Sequence, residues 1–234
     1  MPADTPAAML DAMAKAKRFN RWMADTLLPF VDGNVLEIGA GIGNLTTLLC
    51  SRARQYIAAE IDADYLPRLQ ARTKHCSNVT TTLCDVSKSS DLEQFRGRMD
   101  TVVSLNVLEH IRDDASALGN MRACLKGGGR ALVLVPQGMG AFGTLDVILE
   151  HQRRYSRSEL RGKMTAAGFR VERMLDFNRI TYPGWFFNGR VLRRKTLSRA
   201  QLRVFDWLVP LWRRIDRALP CPPTSIIGIG VRDN

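Results

Sequence analysis

Seven short runs rich in Val, Ile, Leu and Thr recur along the chain, each separated from the next by a longer stretch. They read NVLEIGA, QYIAAEID, NVTTTLCD, DTVVSLN, RALVLVP, FRVERML and SIIGIGV. Strands separated by helix-length segments need crossover connections, which make neighbouring strands parallel and place helices on both faces of the sheet. The pattern predicts an α/β fold with a doubly wound, mostly parallel, seven-stranded sheet.

The regular alternation of strand and helix fails once, between Phe177 and Pro223. A chain of 234 residues suits a single domain. We therefore predict one domain: a helical N-terminal segment over 1–30, a core over 31–176, a helical insertion over 177–223 and the last strand over 224–234.

The predicted insertion carries most of the excess charge. The net charge is +11, and between Arg179 and Pro220 ten Lys and Arg residues outweigh Asp206 and Asp216, which leaves +3 elsewhere. An apolar stripe alternates with arginines there, and Pro210 is expected to kink or divide the helix. A basic amphipathic helix suits peripheral contact with an anionic membrane. We favour the other interpretation, in which the stripe covers the core or a pocket. The stripe consists of Leu202, Phe205, Leu208, Val209, Trp212, Ile215 and Leu219.

The cysteines and the N-terminus indicate where the protein works. Five cysteines, an odd number, contain no Cys-x-x-Cys pair, which suggests buried thiols without a disulfide or a zinc site. No apolar segment reaches the length of a signal-peptide core or of a membrane span, about 18 residues. The expected location is the cytoplasm.

A glycine-rich turn follows the first strand, in NVLEIGAGIGNLTTLL. Gly39, Gly41 and Gly43 lie between a strand and a helix, where open α/β sheets bind ligands. Three acids occur near the ends of successive strands. Glu37 needs a partner if it is buried, and a cationic ligand can provide one. Glu60 is placed to reach ribose hydroxyls, and Asp85 can accept a hydrogen bond from an adenine amino group. Taken singly, each acid is equally compatible with a helix cap or a solvated loop.

The segments VLEIGAGIGN, AAEID, LCD and SLNVLEHI, in this order, resemble the class I S-adenosylmethionine-dependent methyltransferases between Val35 and Val135. The resemblance implies that S-adenosylmethionine is the cofactor, that the core binds it and that segment 1–30 is a lid over it. Packing of that segment on the sheet is the alternative. The residues implied in cofactor binding are Glu37, Gly39, Gly41, Gly43, Glu60, Ile61, Asp85, Val86 and Asn106.

The segment after the fourth strand bears on the acceptor. The opening motif and AAEID look much like enzymes that dimethylate adenines of ribosomal RNA. Those enzymes follow the Asn with prolines and an aromatic residue that clamp a flipped base, whereas Val107 follows Asn106 here. NVLEHI is similar to quinone and lipid-precursor O-methyltransferases. We predict a small-molecule acceptor, aromatic, acyl or isoprenoid-like, methylated at oxygen rather than nitrogen. The alternatives are methylation of RNA or protein guided by the basic insertion, and a non-catalytic cofactor-binding module.

Two histidines are candidate general bases for an acceptor hydroxyl. His151 is preferred over His110, because His110 follows the strand that lines the cofactor, where it can instead cap a helix or pack. No metal is expected, since Asp113 and Asp114 look like a polar loop, and no specific nucleic-acid partner is expected. The residues predicted to contact substrate are Trp22, Arg154, Tyr155, Tyr182 and Trp185.

Overall fold

The computed structural model describes residues 6–194 and 198–234, and its strands form one sheet. The strands are β1 Asn34–Ile38, β2 Gln55–Glu60, β3 Val79–Leu83, β4 Met99–Leu105, β5 Leu125–Pro136, β6 Arg170–Phe177 and β7 Ser225–Val231. Their order in the sheet is β3-β2-β1-β4-β5-β7-β6. Strand β7 runs antiparallel to the other six strands, which are parallel to one another. Each strand overlaps one of the predicted runs, although β5 begins at Leu125, ahead of its run, and β6 continues to Phe177, beyond its run. The predicted fold class is confirmed.

Helices fill the connections on both sides of the sheet. They are α1 Pro6–Lys15, α2 Lys17–Leu27, α3 Thr46–Leu49, α4 Leu66–Thr73, α5 Ser89–Leu92, α6 Asp114–Cys124, α7 Thr144–Ile148, α8 Arg157–Ala166, α9 Tyr182–Phe186 and α10 Arg199–Ile215. The predicted lid and insertion include residues 1–5 and 195–197, which lie outside the described residues. No helix within 6–194 and 198–234 combines the length and apolar content that crossing a bilayer requires.

The sheet separates two apolar cores because side chains alternate between its faces along each strand. Val102 of β4 packs into the core beneath α6 and α8, while its neighbour Val103 packs into the core beneath α2. The central strands are buried on both faces, which explains why the sequence shows continuous apolar runs there and not an alternation.

Helix α2 packs on the sheet through the face expected from its spacing. Phe19 and Trp22 are buried, and both rings contact Phe177 at the end of β6. The residue that lies over the glycine turn comes from α1, where Leu10 approaches Gly41. The lid role of segment 1–30 stays a prediction.

Helix α10 agrees with its prediction in part. It continues through Pro210 without dividing, so that a kink at this proline stays a prediction. It packs on α2, where Phe205 contacts Phe19 and Asp206 accepts from the Phe19 amide at 2.9 Å. Ile215, assigned to the buried stripe, is exposed. A second apolar row, Val204, Trp207, Leu211 and Ile215, faces solvent.

Candidate active site

The glycine turn after β1 depends on all three glycines, for different reasons. Each has a positive φ, a conformation that residues with a Cβ atom rarely adopt. A Cβ on Gly39 would lie 2.4 Å from a methyl of Val107, and one on Gly43 would lie 2.9 Å from Leu69. At Gly41 the nearest atom is a methyl of Leu10, 3.6 Å away. Protein packing therefore excludes side chains at two positions, and Gly41 is the position that leaves space for a ligand.

Glu60 joins this turn to the end of β2. One carboxylate oxygen accepts from the Gly41 amide at 2.6 Å, and the other accepts from the amides of Ile61 and Asp62 at 2.9 and 3.0 Å. The side chain is only 5% exposed. Three backbone donors thus fix the carboxylate beside the glycine turn, at the position where the resemblance implies ribose contact.

Glu37 lies within β1, one residue before its end, and is buried. The Thr46 hydroxyl donates to its carboxylate at 2.6 Å. Burial raises the pKa of Glu37 to about 7, against the lowering effect of the Thr46 hydrogen bond. A buried carboxylate of this kind favours a cationic neighbour, such as the ammonium group implied by the resemblance.

The other implied cofactor residues lie at the same edge of the sheet. Asp85 and Val86 follow β3, and Asn106 follows β4 with a left-handed φ of 54°. The Val86 carbonyl accepts from Asn120 of α6, and Asp85 accepts from the Ser87 amide. Strands β3, β2, β1 and β4 are consecutive and parallel, so their carboxyl ends form one continuous edge. The sequence-predicted cofactor residues are thereby brought together.

A second group of polar side chains lies next to that edge, beyond β4 and β5. Glu109 and His110 belong to a 3-10 turn, Leu108–His110, that follows β4. The Gln152 amide donates to the Glu109 carbonyl at 2.7 Å and so holds the loop after α7 against this turn. The ring centroids of His110 and His151 are 4.9 Å apart and nearly perpendicular. The two predicted bases are therefore in contact.

Asp146 of α7 organises this group. Its carboxylate accepts from His151 Nδ1 at 2.9 Å, from Arg154 Nε at 2.7 Å and from Trp185 Nε1 at 3.1 Å. Burial alone would raise the pKa of Asp146, but the hydrogen bonds from His151 and Arg154, with that from Trp185, outweigh burial and hold the pKa below its ordinary value. Asp146 is thus an ionised buried carboxylate that orients three side chains.

Glu109 is buried without a hydrogen bond. It is 0% exposed, and neither carboxylate oxygen has a hydrogen-bond partner among the described residues. Its carboxylate lies near His151, with Nε2 3.9 Å from Oε1. Burial raises the pKa of Glu109 to about 8. The pKa of His110 is lowered, first by partial burial of the ring and second by the neighbouring His151. His110 as a whole is nevertheless exposed to solvent. We call Glu109, His110 and His151 the Glu–His–His cluster.

Tyr155 and its neighbours have clear packing roles. The Tyr155 hydroxyl donates to Asp114 at 2.7 Å, and Arg153 and Lys163 form ion pairs with the same carboxylate. Asp114 is buried at the start of α6, which corrects its interpretation as part of a solvated loop. Ser156 and Glu159 form a capping box at the start of α8, because each accepts a hydrogen bond from the other's amide. Substrate contact by Tyr155 stays a prediction.

The other predicted substrate residues fall in two places. Arg154 is buried beside Asp146, and its guanidinium lies 5.1 Å from the centre of the Trp185 ring. Tyr182 stacks on Phe186 in the same helix, α9. Trp22 instead packs in the core beneath α2, against Phe177. Only Arg154 and Trp185 thus contact the group around Asp146 directly.

Sequence reasoning did not single out Asp146 or Glu109. Asp146 has no periodic signal, since its partners lie five, eight and 39 residues away along the chain. Glu109 directly precedes His110 in NVLEHI. The sequence therefore shows the motif that contains Glu109 but does not predict that its side chain is buried.

A cavity of about 550 Å³ lies elsewhere, between α2, α3, α4 and α10. Basic side chains line much of it: Lys17, Arg18, Arg21, Arg72 and Arg213. None of its lining residues belongs to the predicted cofactor or catalytic sets. We place the chemistry at the sheet edge and not in this cavity, because the orienting hydrogen bonds and the buried carboxylates are at the edge.

The strand order, the glycine turn and the acids at one sheet edge define a class I S-adenosylmethionine-dependent methyltransferase. The chain belongs to the Methyltransferase domain family, whose profile matches residues 13–173. S-adenosylmethionine is its cofactor, and the Gly41 backbone, where a Cβ would meet no atom closer than 3.6 Å, lies beside the fixed Glu60 carboxylate at the edge that would hold that ligand.

Known proteins resemble the chain in part or in fold. A ribosomal RNA small subunit methyltransferase A from Bacillus mycoides is 38% identical over 84 residues, 34% of this chain and 29% of that relative. The chain spans less than a third of the length of such relatives. The YcgJ protein of Bacillus subtilis has a TM-score of 0.63 at 17% identity, covering 91% of this chain and 97% of that one.

A third similar structure was solved with the cofactor. Phosphoethanolamine N-methyltransferase 2 from Haemonchus contortus, in complex with S-adenosyl-L-methionine, has a TM-score of 0.59 at 16% identity, covering 91% of this chain and 52% of that one. At such identities the structural likeness concerns the fold alone.

Proposed function

We propose that this methyltransferase transfers the methyl group to an oxygen atom of a small-molecule acceptor. The observation that carries the proposal is the orientation of His151. Asp146 accepts from its Nδ1 at 2.9 Å, and this leaves Nε2 as the nitrogen with a free lone pair on the side of Glu109. An imidazole oriented in this way, next to the cofactor edge, is suited to accept a hydroxyl proton.

The cofactor supplies a methyl group already activated by a sulfonium. The protein must align the acceptor oxygen with that methyl group and remove the hydroxyl proton. As the oxygen–carbon bond forms, the carbon–sulfur bond breaks and its electron pair stays on sulfur. His151 Nε2 takes the proton, and Asp146 stabilises the imidazolium that results.

The class of acceptor is inferred from the side chains around Asp146. Trp185 and Tyr182 of α9 offer aromatic surface, and exposed Phe186 and Phe187 extend it. The nearby Arg154 guanidinium is already engaged by Asp146 and the Gln137 carbonyl. These residues support an apolar acceptor with a hydroxyl group, such as an aromatic, acyl or isoprenoid-like compound.

Replacing His151 by Gln tests the proposal. The turnover number on a hydroxylated aromatic acceptor should fall by roughly 10² to 10⁴, the usual contribution of a general base, while the affinity for S-adenosylmethionine stays nearly unchanged. His75, in an exposed loop, provides the matched control: His75→Gln should keep full turnover. Full activity of His151→Gln at neutral pH would contradict the assignment.

RNA methylation is the second candidate, because the curated relatives include ribosomal RNA methyltransferases and the insertion is basic. Two features weigh against it. Asn106 is followed by Val107 instead of prolines and an aromatic residue, and α10 uses its buried face to pack on α2. We therefore rank it below the small-molecule proposal.

A further inference from the structure

We propose that the Glu–His–His cluster binds a divalent transition-metal ion. One carboxylate oxygen of Glu109 and one ring nitrogen from each of His110 and His151 all lie within 4.8 Å of one another. The three residues come from two loops that the Gln152–Glu109 backbone hydrogen bond holds together. The sequence predicted no metal, because Asp113 and Asp114 look like a polar loop; in the structure these two residues serve in capping and packing.

The first argument is the isolation of Glu109. A fully buried carboxylate without a hydrogen bond is costly, and buried polar groups in native proteins nearly always have partners. Among the described residues, His151 is the one basic side chain within 4.0 Å of the Glu109 carboxylate, with Nε2 3.9 Å from Oε1, too far for a hydrogen bond. A cation between these groups would supply the missing partner.

The second argument is the outer contact of His151. Histidines that ligate metals almost always donate their other ring nitrogen to a carboxylate or a carbonyl group, which fixes the tautomer and the ring orientation. Asp146 accepts from His151 Nδ1 in this manner, and Arg154 and Trp185 in turn fix Asp146. The side chain of His151 is only 7% exposed, so this orientation is rigid.

The donor set indicates which ions fit. Two imidazoles and one carboxylate suit zinc, iron, cobalt, nickel or manganese better than calcium or magnesium, which prefer oxygen. Metal–ligand distances of roughly 2.0–2.2 Å require the donor atoms to move closer together than they are in the structure. Arg154 pairs with Asp146, so the compensating charge for the ion comes from Glu109, whose carboxyl group releases its proton when the ion binds.

Three protein ligands leave coordination positions open, as in catalytic zinc sites of the same composition. An acceptor hydroxyl bound there would lose its proton to solvent more easily, and His151 would serve as a ligand instead of a base. This role rests on the proposed function, whereas ion binding itself does not. In the protein without the ion, His151 keeps its role as base.

Titration of the metal-free full chain with Co(II) and with Zn(II), without cofactor or acceptor, tests the site. We expect one equivalent to bind, with a Co(II) visible spectrum that lacks thiolate charge-transfer bands. Glu109→Gln and His110→Ala should each weaken binding at least tenfold, with circular dichroism used to verify folding. His110→Ala changes an exposed residue, so it keeps the test valid if the buried variant fails to fold. His75→Ala and Cys76→Ser should bind like the unaltered chain.

Several outcomes would overturn the proposal. One is binding of less than about 0.2 equivalents at millimolar concentrations of the ion. Another is binding in Glu109→Gln and in His110→Ala that equals binding in the unaltered chain. The third is loss of binding in Cys76→Ser. The last would place the ion at Cys50 and Cys76, whose sulfurs are 3.3 Å apart. An active enzyme that binds no metal refutes only this inference, whereas a protein that binds metal but methylates no hydroxyl refutes only the proposed function.

Discussion

At the scale of single residues, buried charges decide the geometry of the site. Asp146 and Arg154 are both almost inaccessible to solvent, and each is held by several hydrogen bonds. Such a pair contributes more to local order than to stability while it is intact. Removal of one partner leaves the other charge buried without compensation.

The Asp146–Arg154 pair predicts a large difference between two acid-to-alanine changes. Asp146→Ala should lower the free energy of unfolding by roughly 3–5 kcal/mol, because Arg154 stays buried without its anion. Asp25 pairs with Arg213 on the surface at 2.7 Å. Asp25→Ala should cost less than about 1 kcal/mol. Urea denaturation of both variants measures the difference, and equal losses would contradict the burial argument.

Glu37 predicts a specific dependence of stability on pH. Its pKa is raised to about 7 by burial, so that the folded state holds a proton that the unfolded state releases near pH 4.5. The contribution of Glu37 to the free energy of unfolding is therefore fully present below about pH 4.5 and is lost as the pH rises to about 7. Glu37→Gln keeps an acceptor for Thr46 but cannot ionise.

We expect Glu37→Gln to gain stability relative to the unaltered chain as the pH rises. The difference between their free energies of unfolding, variant minus unaltered chain, should increase by roughly 3 kcal/mol from pH 4.5 to pH 8. Chemical denaturation at a series of pH values, without added cofactor, measures it. Glu93→Gln, a change of the same kind at an exposed carboxylate, controls for the loss of one charge. A flat difference for Glu37→Gln would show that Glu37 has the same pKa in the folded and unfolded states.

At the scale of elements, the glycine turn combines backbone conformation with ligand space. Gly41 and Gly97 have similar positive φ values, 57° and 65°. A Cβ would meet a methyl of Leu10 at Gly41 and no atom within 4 Å at Gly97. The two glycines therefore carry the same backbone strain on substitution but differ in their distance from the cofactor residues.

Gly41→Val and Gly97→Val should separate strain from cofactor binding. Both should lose stability, by about 1–2 kcal/mol, because a side chain disfavours the left-handed conformation. Only Gly41→Val should also weaken S-adenosylmethionine binding, by at least about 1 kcal/mol, because its side chain enters the ligand space. Calorimetric titration measures the affinity. Equal affinities in the two variants would remove Gly41 from the cofactor site.

At the scale of the whole molecule, the charge is concentrated in one segment that packs through its apolar face. The insertion accounts for +8 of the net +11. On α10, Phe205 and Val209 face α2, whereas Trp207 is 68% exposed next to Arg203 and Arg214. Peripheral membrane contact through this outer face stays a prediction, as does a cytoplasmic location.

This distribution predicts weak, non-specific binding of RNA. The aromatic residues of α9 cluster before the arginines and do not interleave with them, unlike a groove that stacks successive bases. Filter binding of unrelated RNA sequences should give similar affinities that fall at least tenfold between about 50 and 200 mM salt. Arg203→Gln combined with Arg214→Gln should weaken binding of all RNAs alike. Tight, sequence-selective binding at physiological salt would instead favour the RNA candidate.

The sequence by itself determined the fold and the cofactor edge. Strand runs such as those of β4 and β5 are local, and the crossover rule turns their order into a parallel sheet. Gly39, Gly41 and Glu60 lie at strand ends, and the carboxyl ends of parallel strands meet at one edge. Periodicity and topology were therefore sufficient to bring these residues together.

Only the tertiary structure decided how the proposed catalytic groups are connected. Asp146 contacts His151, Arg154 and Trp185 because α7, the loop that follows it and α9 meet there, and no period in the sequence encodes such a meeting. The burial of Glu109 likewise depends on everything packed around it. Local patterns specify elements, whereas desolvation and hydrogen-bond partners belong to the assembled molecule, since they depend on atoms that are distant along the chain.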